Sequence, residues 1–210
     1  MTNFKNSIRT AALAAALFLP LMAPVQADVS ELPAGKYEMD LAHSSIVWGV
    51  SHFGLSLYKA RFANFETDLY FDPQNPEKSK MSVTVDPKSV KTQFPYVAKE
   101  DFDATLVNSK QWFNADAHPE IKFVSTDIDI KDDETGIVKG DLTFLGVTKP
   151  IEMEVTLRGF SEKHPFAGVP AVGFSGRTSF KRSDFGMTAY VPNIGDEVVL
   201  EIETEFLKAK

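Results

Sequence analysis

The chain carries four histidines, His43, His52, His118 and His164, and no cysteine. An imidazole can ligate a metal, move a proton or hold a hydrogen bond, and its sequence neighbours favour one role or another. None of the four stands at zinc-ligand spacing from a second histidine, and His43 and His52 are not a helical i, i+4 pair. No metal site is therefore expected. His118-Pro119 and His164-Pro165 read as loop positions, while His43 and His52 read as hydrogen-bonding residues at the two ends of one strand. The carboxylates look solvated. Glu197, Glu201, Glu203 and Glu205 share one face of an alternating segment, and Asp132, Asp133 and Glu134 crowd a turn without the ligand order of a calcium loop. No glycine cluster follows a strand and opens a helix, which disfavours a phosphate cradle or dinucleotide fold. There is neither a Gly-x-Ser-x-Gly elbow nor a cysteine nucleophile. The expectation is a protein without a catalytic set and without a cofactor.

The elements that would position any site are strands. Ile151, Met153, Val155, Leu157 and Gly159 alternate with Glu152, Glu154, Thr156 and Arg158. Val172, Phe174, Gly176, Thr178 and Phe180 oppose polar neighbours, and so do Val198, Leu200, Ile202, Thr204 and Phe206, with Val199 out of phase. Successive strand side chains point to opposite faces, so these are long antiparallel strands with one wet face. Upstream, Gly35–Leu41, Ser45–Ser51, a long strand Lys59–Phe71, Met81–Val85, Ile121–Ile130 and Ile137–Leu145 complete the set. The apolar phase slips inside Lys59–Phe71, as a β-bulge would make it. Gly146 to Pro150 reads as a tight connection. Val97 to Val107 reads as one short amphipathic helix lying across the sheet. About eight long strands and one helix predict a closed antiparallel barrel, whose interior suits packed side chains or one small ligand.

The first 27 residues form an expected signal peptide: basic Lys5 and Arg9, an apolar stretch from Ala11 to Ala23, and Val25-Gln26-Ala27 as cleavage site. Residues 28–210 then make one domain. Losing Lys5 and Arg9 takes the net charge from −7 to −9. An acidic chain is a poor partner for nucleic acid or anionic membrane surfaces, and no later segment is apolar enough for stable insertion in a bilayer. Export without cysteine implies an oxidising compartment reached without disulfides.

The inner face is the remaining candidate. Trp48, Phe62, Phe65, Phe71, Leu142, Phe144, Met153, Val155, Leu157, Phe174, Phe180, Leu200, Ile202 and Phe206 point inward if the phases hold. They make either an ordinary aromatic core or the wall of a pore. Gly140, Gly159, Gly176, Thr178 and Thr204 among them leave room beside large rings and favour a pore. Each methylene buried there contributes about 0.8 kcal/mol, so a long hydrocarbon needs few polar contacts.

Several ordered segments resemble the YceI-like family of periplasmic polyisoprenoid-binding proteins. They are Asp40-Leu-Ala-His43-Ser44-Ser-Ile46, Val50-Ser-His52-Phe-Gly54-Leu-Ser56, Phe62-x-x-Phe65, Pro119 to Phe123, Gly140 to Pro150, Gly176-Arg177, Arg182 to Gly186 and Val198 to Ile202. The resemblance implies an extended, lipocalin-like antiparallel barrel whose long apolar pore holds an isoprenoid lipid, polyprenyl or quinone-type, in a non-catalytic periplasmic protein. His43, Ser44 and His52 fall on its motif positions and stand as candidate polar contacts. Two other classes stay open. One is an enzyme acting on an apolar substrate inside the barrel, with His52 as its candidate acid or base. The other is an envelope protein whose filled barrel scaffolds protein contacts, with a homodimer as one form of it.

Overall fold

The computed structural model describes residues 28–210, so the expected signal peptide at 1–27 lies outside the described residues. Eleven strands form one sheet: β1 (Gly35–Met39), β2 (Ser45–His52), β3 (Ser56–Phe62), β4 (Phe65–Phe71), β5 (Lys80–Val85), β6 (Val90–Lys91), β7 (Ile121–Ile130), β8 (Thr135–Phe144), β9 (Val147–Ser161), β10 (Ala171–Lys181) and β11 (Ile194–Lys208). The order β1-β4-β5-β7-β8-β9-β10-β11 closes on itself through pairing of β1 with β11. This is the expected eight-stranded antiparallel barrel, and closure leaves no long free edge in that circuit.

The three additional strands are continuations rather than a second sheet. Against β11, β1 pairs at Met39↔Phe206 and β2 resumes at Ser45↔Glu203. β3 and β4 run on in the same way, one against β2 and the other against β1, and β5 and β6 follow beside them. Three neighbouring strand lines are thus interrupted at one level, at residues 40–44, 63–64 and 86–89. The phase slip inside Lys59–Phe71 therefore marks a break between two strands, not a bulge within one. There the Ala63 amide donates to the Ser89 carbonyl and the Asp86 amide to that of Asn64, which stitches the second break to the third.

Above this level β6 pairs only with β3, leaving a notch between β6 and β7. Residues 92–120 fill it. The helix there, α1, is shorter than the periodicity suggests, spanning Phe102–Asn108 with the Asp101 side chain accepting the Ala104 amide as its cap. Lys99 and Glu100 lie in the preceding turn instead. Phe102 and Leu106 face the barrel, where Phe113 meets Trp48, Phe62 and Phe144 at ring-centroid distances of 6.2, 5.6 and 6.2 Å.

Two further differences concern glycines and turns. The connection from β8 to β9 is only Leu145-Gly146, with φ of 49° and 75°, as a two-residue hairpin turn of the I′ kind requires. Val147 to Pro150 already belong to β9. Farther along β9, the register to β10 shifts between Gly173↔Gly159 and Phe174↔Leu157, which leaves Arg158 unpaired. That bulge reverses the facing, so Gly159 turns outward and Phe160 packs inward.

Candidate functional site

The inward residues enclose two cavities, of about 520 and 800 Å³, stacked along the barrel. Both are within the usual size of small-molecule sites. Ile46, Val83, Met153 and Ile202 line both, so four side chains from β2, β5, β9 and β11 form a shared waist where the two cavities meet. Trp48, Phe62, Leu142, Phe144, Phe180 and Leu200 line the upper cavity, beneath α1. Phe65, Phe71, Val155, Leu157, Phe174 and Phe206 line the lower one, and Met153 and Ile202 complete the fourteen at the waist.

The small residues divide in their roles. Gly176 lies on the lower wall, and a Cβ there would come within 2.9 Å of the Met153 sulfur, so this glycine is what lets Met153 lie against the sheet. Thr204 also lines the lower cavity and returns its hydroxyl to the Phe174 carbonyl at 3.3 Å. Gly140 leaves no free space, because the Phe123 ring lies where its Cβ would be. Thr178 is buried but spends its hydroxyl on the Glu152 carbonyl at 2.6 Å, and lines neither cavity. Part of the interior is therefore a packed aromatic core. Tyr37, Phe71, Phe174 and Phe206 pass ring to ring at 5.6 to 6.3 Å around the lower wall.

The polar candidates do not assemble in the lumen. His43 and Ser44 sit in the interruption between β1 and β2, on the outer side: His43 is exposed and hydrogen-bonded to Asp40, and the Ser44 hydroxyl donates to the Asp40 carbonyl. Only His52 reaches a cavity, at the rim of the upper one. Beside it, Phe53 and Tyr190 both line the cavity and project into solvent, so the lumen opens there between the β2–β3 turn and the 188–193 loop. Leu55, 86% exposed at the tip of that turn, makes this mouth apolar. The opposite end is different: Lys80, Lys131, Asp132, Asp133 and Glu134 surround the lower cavity's outlet.

Among the described residues the upper cavity is bordered by His52, Lys122 and Arg182 and by no carboxylate. Arg182 is only 1% exposed. Its guanidinium donates to the carbonyls of Gly195, Met187, Ala189 and Ile194 at 2.8 to 3.1 Å and lies 5.7 Å from the Trp112 ring. Burial holds it below the usual arginine range, with Asp196 opposing that shift. Its hydrogen bonds thus fasten the 186–195 loop and are not free for chemistry. Sequence reasoning noted Arg182 only as a motif position, since the partners are backbone atoms that no side-chain pattern announces. One lumen donor is free instead: Trp48 Nε1 is buried without a hydrogen-bond partner, whereas the Tyr58 hydroxyl has the Thr92 side chain beside it. Burial raises the Tyr58 phenol further above its ordinary range, so it stays a neutral donor.

The YceI-like domain model matches residues 37–206. A UPF0312 protein of Photorhabdus laumondii is 33% identical over 185 residues, covering 87% of this chain and 92% of its own. Among solved structures, the Campylobacter jejuni YCEI protein is 28% identical with a TM-score of 0.65, over 76% of this chain and 90% of that one. A polyisoprenoid binding domain from Saccharophagus degradans superposes with a TM-score of 0.59 at 12% identity, over 83% of this chain and 99% of that one.

Proposed function

The chain belongs to the YceI-like family, and from that premise we propose that its barrel binds, stores or carries a long-chain isoprenoid lipid, polyprenyl or quinone-type, in the periplasm. The observation that carries this reading is the pair of stacked cavities that share the waist of Ile46, Val83, Met153 and Ile202, which we read as one lumen. The barrel's length suits a chain rather than a compact molecule: β11 alone has 15 residues, about 50 Å along the strand at ~3.3 Å per residue and about 35–40 Å along the axis at the usual barrel tilt. The neighbour described as a polyisoprenoid binding domain shares the fold. The expected leader at 1–27 supports a periplasmic setting.

The unpartnered indole donor refines the ligand class. A buried donor without an acceptor costs about 1–3 kcal/mol. A lipid bearing an oxygen acceptor, such as an alcohol or a quinone carbonyl, satisfies Trp48 Nε1 where a pure hydrocarbon cannot. No acid–base pair faces the lumen in the upper cavity, so binding rather than turnover is the reading this geometry supports. The test is mass spectrometry of organic extracts from protein purified without detergent. An isoprenoid recovered in near-stoichiometric amount is the expected result. Repeated absence of lipid, together with failure to take up added polyprenol or long-chain quinone, overturns the proposal.

A further inference from the structure

We propose that Asp40, His43 and Glu205 form a site for a divalent transition-metal ion, zinc by its ligand chemistry, on the outer wall of the barrel. The local fold sets two of the three ligands. Asp40 caps the single 3-10 turn Leu41–His43, its side chain accepting the Ala42 amide. Residues three apart eclipse one another on such a turn, which sets His43 Nδ1 2.8 Å from Asp40 Oδ2. Glu205 is the outward-facing residue of β11 at the same level. Backbone and side chain fix it there: the Asp40 amide donates to the Glu205 carbonyl at 2.8 Å, and the Glu205 amide donates to the Ser44 hydroxyl at 3.2 Å.

One ligand atom from each residue lies within 4.8 Å of the others. An ion with bonds of about 2.0–2.2 Å spans up to ~4.4 Å between opposite ligands, so small side-chain rotations close the set around it. A second observation points the same way. Glu205 Oε1 is buried. It stands 3.1 Å from Nε2 of His164, whose Nδ1 accepts the Ala167 amide. His164 therefore presents its Nε2 side to the carboxylate and braces it, as outer partners of metal-binding residues do. Two carboxylates and one imidazole suit a dication, and one imidazole nitrogen among oxygens favours zinc over calcium or magnesium. A remaining position faces solvent beside exposed His43. A bound ion joins the interruption between β1 and β2 to β11, and through His164 to the loop between β9 and β10, all outside the lumen.

The experiment is calorimetric titration of Zn²⁺ into chelator-stripped protein. One ion per chain is expected, with affinity at least about tenfold weaker in His43→Ala and in Glu205→Gln and unchanged in His118→Ala. Bound zinc also protects His43 from carbethoxylation by diethyl pyrocarbonate, read by peptide mass in the unaltered protein, which needs no variant to fold. Absence of a stoichiometric zinc event, affinity that survives both substitutions, or no protection of His43 overturns the site. None of these readouts depends on whether a lipid binds.

Discussion

Ile202→Trp is the most direct perturbation of a through-going lumen. Ile202 comes from the middle of β11, is half-buried, and lines both cavities with Ile46, Val83 and Met153. An indole at this position fills the waist from one side. A long ligand must then withdraw from one cavity. Expelling as few as five methylenes forfeits about 4 kcal/mol at ~0.8 kcal/mol each, and at 1.4 kcal/mol per tenfold that weakens binding roughly a thousandfold. A short ligand held within one cavity loses little, so the two lengths separate. The assay is a pair of isoprenoid alcohols, one short and one long, titrated while tryptophan fluorescence is followed. Overpacking itself costs about 1–3 kcal/mol, which a melting curve reports independently as a drop of several degrees. If the variant stays folded and both lengths bind as before, the two cavities do not act as one lumen and the reasoning fails.

Three other perturbations address separate parts of the molecule. Arg182→Met strands carbonyls that now accept four guanidinium hydrogen bonds. With buried unsatisfied groups at about 1–3 kcal/mol each, the expected loss is about 3–5 kcal/mol by denaturant titration, and a loss below ~1 kcal/mol contradicts that role. Trp48→Phe keeps the apolar wall and removes one lumen donor, so affinity for a polyprenol or quinone falls about five- to tenfold while that for a matched hydrocarbon holds; equal losses for both point to packing alone. Asp103 titrates below the carboxylate value of 3.8, because burial's upward push is outweighed by hydrogen bonds from the Thr92 hydroxyl and amide and by Lys91. A folded pKa below the unfolded one gives stability that is present above about pH 4 and is lost as pH falls through the folded value. Asp103→Asn should therefore flatten the acid limb of the stability profile between pH 4 and pH 2, and an unchanged limb speaks against this anchor of α1.

The alternation of Met153, Leu200, Ile202 and Phe206 with charged neighbours was enough to reveal the strands, the barrel and the inward face, because a period of two is set by the backbone itself. The failures have equally local causes. Gly159 looked inward because alternation counts residues, and one unpaired residue at Arg158 reverses every facing beyond it. Gly140 looked like spare room because the sequence cannot show that Phe123, seventeen positions earlier, lies across it. His43 and Ser44 kept their motif but not the expected direction, since the interruption at 40–44 lifts them out of the sheet's inner face. The cluster with Glu205 was invisible for a plainer reason: Glu205 lies 165 and 162 positions beyond Asp40 and His43, and only the pairing of the first and last strands brings them together.

The interruption of three strand lines at one level gives the molecule two ends of unequal stiffness. Around the lower cavity the walls are joined by ladders on every seam but the lower part of β5–β7, whose pairing ends at Ser82↔Val124, so enlarging it elsewhere means breaking hydrogen bonds between strands. Above the notch, the wall between β6 and β7 is a stopper, residues 92–120, held largely by rings and short caps. Withdrawing a stopper costs packing but no ladder. Such a vessel can take guests of different bulk by shifting one segment outward while its deep end keeps its shape, and amide exchange should run faster in 92–120 than in β8 to β11.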